Sequence, residues 1–321
     1  MAGSPPPEID ALALARSRAR MARDWAEADR LRAEIEAAGW RIVDVGTAYD
    51  LLPAHPPTVE ADGAVRYGRS ADVPSRLEDE PVGVASVVVV ATDFPADVER
   101  FLSGLREHAP DGIQVVVVGD APSAPQVAAL DALEAVEPGA PGLRTEVVRT
   151  TERLGWGAAL NAGIRRAEAP VVIVADTSVE PSGDAVSSVV AALDDASVAA
   201  AGGFGLASAD LRHFDEARPG EVVALEGYWL AFRRSDYAAR GPLDEHFRFY
   251  RNLDVWWSLV LRDEGEGAPP RRALALDLPL VRHEHRAWTT MPEAERTRLS
   301  KRNFYRIIDR FGRRPDLASG A

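Results

Sequence analysis

The sequence predicts an α/β fold: an open, mostly parallel sheet flanked by helices, with a small helical hairpin module ahead of it. Three observations predict it. Val/Ile runs at residues 87–90, 115–118 and 171–174 are continuous rather than alternating, the mark of strands covered on both faces. Helical stretches separate these runs with short connections, which argues for right-handed strand–helix–strand units. Before residue 53 the pattern is instead helical, with Leu12, Met21, Trp25, Ala28, Leu31 and Ile35 at spacings that fit one apolar face.

The elements follow in order. Residues 1–7 read as a mobile tail. Asp24, with Glu27 three places on, has the form of a capping box opening a second helix, and Gly39 ends that helix. The strand "WRIVDV" completes a module over 1–52, suited to packing, oligomerisation or docking. Residues 53–82 contain "PAHPP", a bend at Gly63 and the acidic "EDEP", which is linker composition with room for a short hairpin. The main domain then occupies 83–321. Its strands are "GVASVVVVATD", "IQVVVVGD", "LRTEVVRT" and "APVVIVAD". Its helices are "PADVERFLSGLREHA", "APQVAALDALEAV", "GWGAALNAGIRRA" and residues 183–193. Ligands of such sheets sit outside the carboxyl ends of the strands, where Asp93, Asp120 and Asp176 fall.

Bulk properties narrow the class. A chain of 321 residues with 46% hydrophobic content can bury a full core. It has no cysteine, which rules out disulfides and thiolate metal sites. No apolar run nears the ~20 residues that cross a bilayer, and the start lacks the regions of a signal peptide. A cytoplasmic place is expected, with a peripheral position at the inner membrane face left open. A net charge of −13 disfavours nonspecific binding to nucleic acid. A single lysine, Lys301, amid abundant arginine and alanine points to a GC-rich, bacterial type of genome.

Several residue types converge on ligand chemistry. Gly155 and Gly157 precede a helix that carries Asn161 and Gly163. Glycines there allow close backbone approach, and helix-start amides favour an anion. In "VADTSVEP", Asp176 ends a strand and Ser178 stands two places on. Asp254 opens a helix over 255–262 and reads as a base for an acceptor hydroxyl, as a cap, or as both. His283 and His285 would point the same way on a strand, toward a metal or diphosphate, or would form a polar turn. Trp156, Trp229 and Trp288 line a sugar cleft or fill the core.

Residues 85–311 resemble the family 2 glycosyltransferases and their GT-A nucleotide-sugar-binding fold. The resemblance runs through "SVVVVATDFP", "IQVVVVGDAPS", "LGWGAALNAGI", "VVIVADTSVEP", "GPLDEHFRFY…LDVWWSLVLRDEG", "RHEHRAW" and "KRNFYRII", in the family's order. It implies inverting transfer of a sugar from a nucleoside-diphosphate sugar to an acceptor hydroxyl on a sugar, lipid-linked or small-molecule acceptor. It implies Asp254 as base and Asp93, Asp120, Gly155, Gly157, Asn161, Asp176 and Ser178 on the donor side. Asp244 and Trp256 belong to the segment similar to the acceptor side. Three positions depart from the family pattern. Its second-strand acid falls on Gly119, Leu253 replaces the glutamate of a Glu-Asp pair, and Ser178 replaces the last carboxylate of Asp-x-Asp. A divalent metal (Mg²⁺ or Mn²⁺) would then rest on Asp176, an imidazole from His283 or His285, and donor phosphates. Alternatively Arg282, Arg286 or Arg302 would carry the phosphate charge. No organic cofactor is implied. The departures keep a second reading open, a GT-A-fold binding or scaffold protein with impaired catalysis. Separately, "ARSRARMARDWAEADRLRAEIEAAGWRIVDVGTAYDL" is similar to the C-terminal helical segment of cysteinyl-tRNA synthetases. That likeness implies shape without catalytic motifs, and homo-oligomer formation or docking through the hairpin stays open.

Overall fold

The computed structural model describes residues 5–45, 48–61, 63–135 and 143–318. The first four residues of the expected tail, Gly46 and Thr47 of the N-terminal resemblance, and Val136 of the expected second helix of the main domain lie outside them. The chain divides into two compact units, Met1–Arg69 and Ser70–Ala321.

The first unit holds α1 (Pro7–Met21), α2 (Trp25–Ala37), β1 (Trp40–Val45), β2 (Ala48–Pro53), β3 (Val59–Ala61) and β4 (Ala64–Tyr67). Pro7 starts α1, where its missing N–H costs nothing. Ile9, Ala13, Ile35 and Ile42 form the core, with Leu12, Trp40, Tyr49 and Leu51 packed against it. Arg16 is buried and grips Asp44 through two bonds of 2.9 and 3.1 Å, tying α1 to β1. Asp24 caps α2 by accepting the Glu27 N–H at 3.1 Å, while the Glu27 carboxylate turns to Arg30 and leaves the capping box half made. Met21 and Trp25 are 76% and 58% exposed, because they flank the turn between the helices rather than face the core. β3 and β4 pair as a hairpin across Gly63.

The second unit contains β5 (Ala85–Ala91), α3 (Pro95–His108), β6 (Ile113–Gly119), α4 (Ala124–Glu134), β7 (Arg144–Thr150), α5 (Trp156–Ile164) and β8 (Val171–Ala175). Next come β9 (Val179–Pro181), α6 (Val186–Leu193), β10 (Val198–Gly202), β11 (Gly205–Ala207), β12 (Asp215–Ala217), β13 (Gly220–Val222), β14 (Ala224–Leu225) and β15 (Trp229–Arg233). The chain closes with α7 (Arg234–Arg240), α8 (Leu253–Arg262), β16 (Arg272–Ala275), β17 (Leu280–Arg282), α9 (Arg286–Thr289) and α10 (Glu293–Phe311).

Within this unit the main sheet runs β13-β16-β10-β15-β8-β5-β6-β7. The strands β7, β6, β5 and β8 are parallel, and every residue of β5, β6 and β8 is buried. That is the mostly parallel, doubly covered sheet the Val/Ile runs predict. β15 joins antiparallel beside β8, with Trp229 opposite Ala175. An antiparallel neighbour presents its beginning where β8 presents its end, so residues 226–228 reach the carboxyl edge. β17 pairs with β9, Arg282 opposite Val179, and delivers His283 to His285 to the same edge. Residues 73–79, expected as linker, are strapped to the second unit. Arg165 Nε donates to the Val73 carbonyl (2.7 Å) and Arg166 Nη1 to that of Pro74 (2.9 Å).

Candidate active site

Two adjoining hollows at the carboxyl edge share Trp156, Asp176, Tyr250 and His285. The first, of about 460 Å³, reaches past Thr92, Asp93, Phe94, Gln126 and Ser178 to Arg286. The second, of about 930 Å³ including its mouth, has a largely aromatic and aliphatic wall and holds Glu226, Arg251 and Asp254.

Asp176 stands at the join. Its Oδ1 accepts the Ser178 N–H at 2.8 Å, and its Oδ2 lies 3.2 Å from His285 Nε2. Burial acts to raise its pKa, but the His285 ring beside it and the Ser178 N–H and hydroxyl outweigh burial and hold it below the ordinary value. Burial opposes a proton on His285, and the neighbouring carboxylate overcomes this and raises its pKa. His285 Nδ1 accepts the Trp288 N–H (3.1 Å), so the neutral ring carries its hydrogen on Nε2, facing Asp176. Tyr250 stacks on the imidazole at 4.6 Å and fixes its plane. Ser178 is buried; its Oγ makes no hydrogen bond of full geometry to any described residue, but its hydroxyl helps keep Asp176 ionised.

Asp254 is the second residue of α8. Its Oδ1 accepts its neighbour Val255 N–H (2.9 Å) and its Oδ2 the Gly227 N–H (2.8 Å), so it both serves the helix start and faces the cleft. Burial raises its pKa, with those amides pulling the other way. Glu226, one residue before Gly227, lines the same hollow. Burial and the Asp254 charge push its pKa up to about 7.

Residues 86–252, over half the chain, match the family described as Glycosyl transferase family 2. The chain belongs to that family. Its fold is that of GT-A glycosyltransferases. GalNAc-T7, solved with UDP, GalNAc and Mn²⁺, is similar at a TM-score of 0.56 and 16% identity over 72% of this chain and 48% of that one. The mannosyltransferase PcManGT of Pyrobaculum calidifontis, solved with GDP-Man and Mn²⁺, is similar at 0.47 and 20% identity over 64% and 57%. S. aureus TarS 1-349 with UDP is similar at 0.47 and 13% identity over 70% and 72%. The chain thus spans about half the length of the first two. A stretch of 49 residues is 51% identical to cysteine–tRNA ligase of Opitutus terrae, 15% of this chain and 11% of that protein.

Of the residues the sequence singled out, the cleft gathers Asp93, Asp176, Ser178, His285, Asp254 and Trp156. Others serve the scaffold. Asp120 is buried and accepts the N–H groups of Leu154 (2.7 Å) and Gly155 (3.1 Å), holding the loop before α5 rather than a ligand. The helix-start amides are spent inside the protein: Trp156 N donates to the Arg248 carbonyl and Gly157 N to that of Phe247. Gly155 (φ +96°) and Gly157 are required by that contact, since a Cβ would lie 2.8 Å from Arg248 Cα and 2.7 Å from the Asp244 carbonyl oxygen. Asn161 uses its whole amide on Leu243, Glu245 and Tyr237. Asp244 is held by His246 and Arg306, away from the cleft. Trp256 turns toward Phe247, and the next residue on α8, Trp257, lines the hollow instead.

β17 ends before His283, so the two histidines do not share a face. His283 pairs with Glu180 at 2.6 Å, and His285 alone meets Asp176. Trp229 is buried in the core, and Trp288 lies beneath the guanidinium groups of Arg251 and Arg296. Arg286 lines the first hollow, Arg282 stacks on Tyr228 with its charge toward Glu226, and Arg302 is exposed on α10.

Sequence reasoning missed Glu226, Gln126, Tyr228, Tyr250 and Arg251. Gln126 is fully buried, and both its amide atoms lack partners among the described residues. Arg251 forms no ion pair with any described residue. Nothing in local spacing marks these positions, because strands and loops distant in sequence bring them to the cleft.

Proposed function

We propose that the chain is an inverting glycosyltransferase that moves a sugar from a nucleoside-diphosphate sugar to an acceptor hydroxyl. The observation that carries this reading is that Asp176 and Asp254 line one continuous cleft, 78 residues apart in sequence. The nucleoside occupies the first hollow, with Asp93 and the Gln126 amide as hydrogen-bonding groups. The diphosphate lies at Asp176 and His285, with Arg286 and Arg251 as cations. The sugar extends into the second hollow. There the acceptor oxygen bonds to the anomeric carbon as the bond to the diphosphate oxygen breaks, and Asp254 receives the acceptor proton. Its raised pKa makes it a better base than an exposed aspartate. Aromatic walls keep water from competing.

The donor set fits a divalent metal. Asp176 Oδ2 and His285 Nε2 converge, and the buried Ser178 Oγ lies in the same loop; Nε2 would ligate only on giving up the hydrogen it turns toward Asp176. Carboxylate, imidazole and hydroxyl together suit an ion of the Mn²⁺ type. Among the described residues no group of three or more His, Asp or Glu forms a complete cage, so donor phosphates would complete the shell. Such an ion would stabilise the negative charge that develops on the leaving diphosphate.

Calorimetric titration with a panel of nucleoside diphosphates, with and without Mn²⁺, tests the reading. Tight binding of at least one is expected, strengthened by Mn²⁺, and binding of none would sink it. Asp254→Asn is expected to lower turnover ~10²- to 10⁴-fold while nucleotide affinity holds. Retained turnover would remove Asp254 from the role of base.

A further inference from the structure

Glu226 has no part in the chemistry above, yet its side chain is only 22% exposed and lines the same hollow as Asp254. It receives no hydrogen bond from any described residue. The nearest cation, Arg282 Nη1, stands 3.6 Å from Oε2, beyond hydrogen-bond reach, with its guanidinium over the Tyr228 ring. Asp254 differs: each of its oxygens accepts one backbone N–H, which fixes the carboxylate and leaves lone pairs toward the cleft. Because the 2.8 Å bond from Gly227 N involves the residue after Glu226, the Glu226 Cα sits within about 5 Å of Asp254 Oδ2. One carboxylate is thus rigid and partly used, and its neighbour has a cation nearby but no hydrogen-bond donor among the described residues.

A half-buried carboxylate without donors is unfavourable, so the site calls for a ligand that supplies them. Its pKa of about 7 reflects the same burial and the Asp254 charge, which outweigh the opposing charges of Arg282 and Arg251. Two adjacent carboxylates match two adjacent O–H donors, and Trp156, Tyr228 and Tyr250 give the same hollow an aromatic wall for a sugar ring. We propose that Glu226 is a specificity-determining residue of the acceptor side. Its carboxylate accepts a hydrogen bond from the hydroxyl next to the one Asp254 deprotonates, so the cleft takes a carbohydrate with neighbouring hydroxyls. The assignment rests on the transfer reading above.

The test titrates the full chain, saturated with whichever nucleoside diphosphate binds, with methyl hexopyranosides and their monodeoxy and aminodeoxy analogues, read by ligand-observed NMR. At least one parent glycoside is expected to bind about tenfold or more tightly than its deoxy analogue, the size of a lost hydrogen bond to a charged group. Glu226→Gln is expected to bring that ratio close to one without changing nucleotide affinity, and Glu226→Asp to keep part of it. An unchanged ratio in Glu226→Gln would overturn the proposal. So would a wild-type chain that binds nucleotide but no glycoside. Preference for an aminodeoxy glycoside, abolished in Glu226→Gln, would replace the diol with an ammonium ligand. Failure to bind any nucleoside diphosphate would strike the transfer reading instead. The glycoside titration without nucleotide would then still decide the role of Glu226.

Discussion

At the scale of single residues, the site works by placing acids in different surroundings. Asp176 keeps its charge because His285 sits against it, whereas Asp254 and Glu226 are pushed toward neutrality by burial. For Glu226 this has a pH consequence. Its folded pKa of about 7 lies above the ordinary 4.5, so the folded state keeps a proton that the unfolded chain gives up. Its contribution to stability is whole below pH 4.5 and is lost as pH rises through about 7. Glu226→Gln carries no such charge in either state. Its melting temperature relative to wild type is therefore expected to climb between ~pH 5 and ~pH 8. A flat difference across that range in thermal melts would show that the carboxyl is not perturbed.

At the scale of elements, residues that resemble donor contacts turn out to hold loops. Asp120 lies at the end of β6 and anchors the turn into α5 through two backbone amides. Asp120→Ala leaves both amides without an acceptor, and the expected loss is about 2–4 kcal/mol in chemical denaturation. A loss within error would mean that the loop finds other partners. The glycines of α5 tell the same story, since their missing side chains make room for residues 244–248. That segment in turn leads to α8 and Asp254, so the Gly-Trp-Gly turn supports the Asp254 end of the cleft.

At the scale of the molecule, every residue lining the cleft lies between Val90 and Ala287, within the second compact unit. A chain beginning at Ser70 is therefore expected to fold and to bind nucleoside diphosphate as the full chain does. Titration of the two side by side checks this, and loss of binding by a folded shorter chain would give the first unit a part in the site. No helix among the described residues is long and apolar enough to cross a membrane.

The sequence by itself determined the parallel sheet, because buried strands need continuous apolar runs and those runs are visible one strand at a time. It marked Asp176 and Asp254 as candidates as well, since each sits at an element end that a local pattern marks, and both line the same hollow. In "VADTSVEP" the strand end was legible, but the partner of Asp176 was not. Only the tertiary structure decided that His285 rather than His283 meets it, because β17 stops one residue before His283. Only the antiparallel pairing of β15 with β8 decided that Glu226 enters the cleft. Pairing direction and the ends of short strands depend on contacts between distant segments, and no local periodicity encodes them.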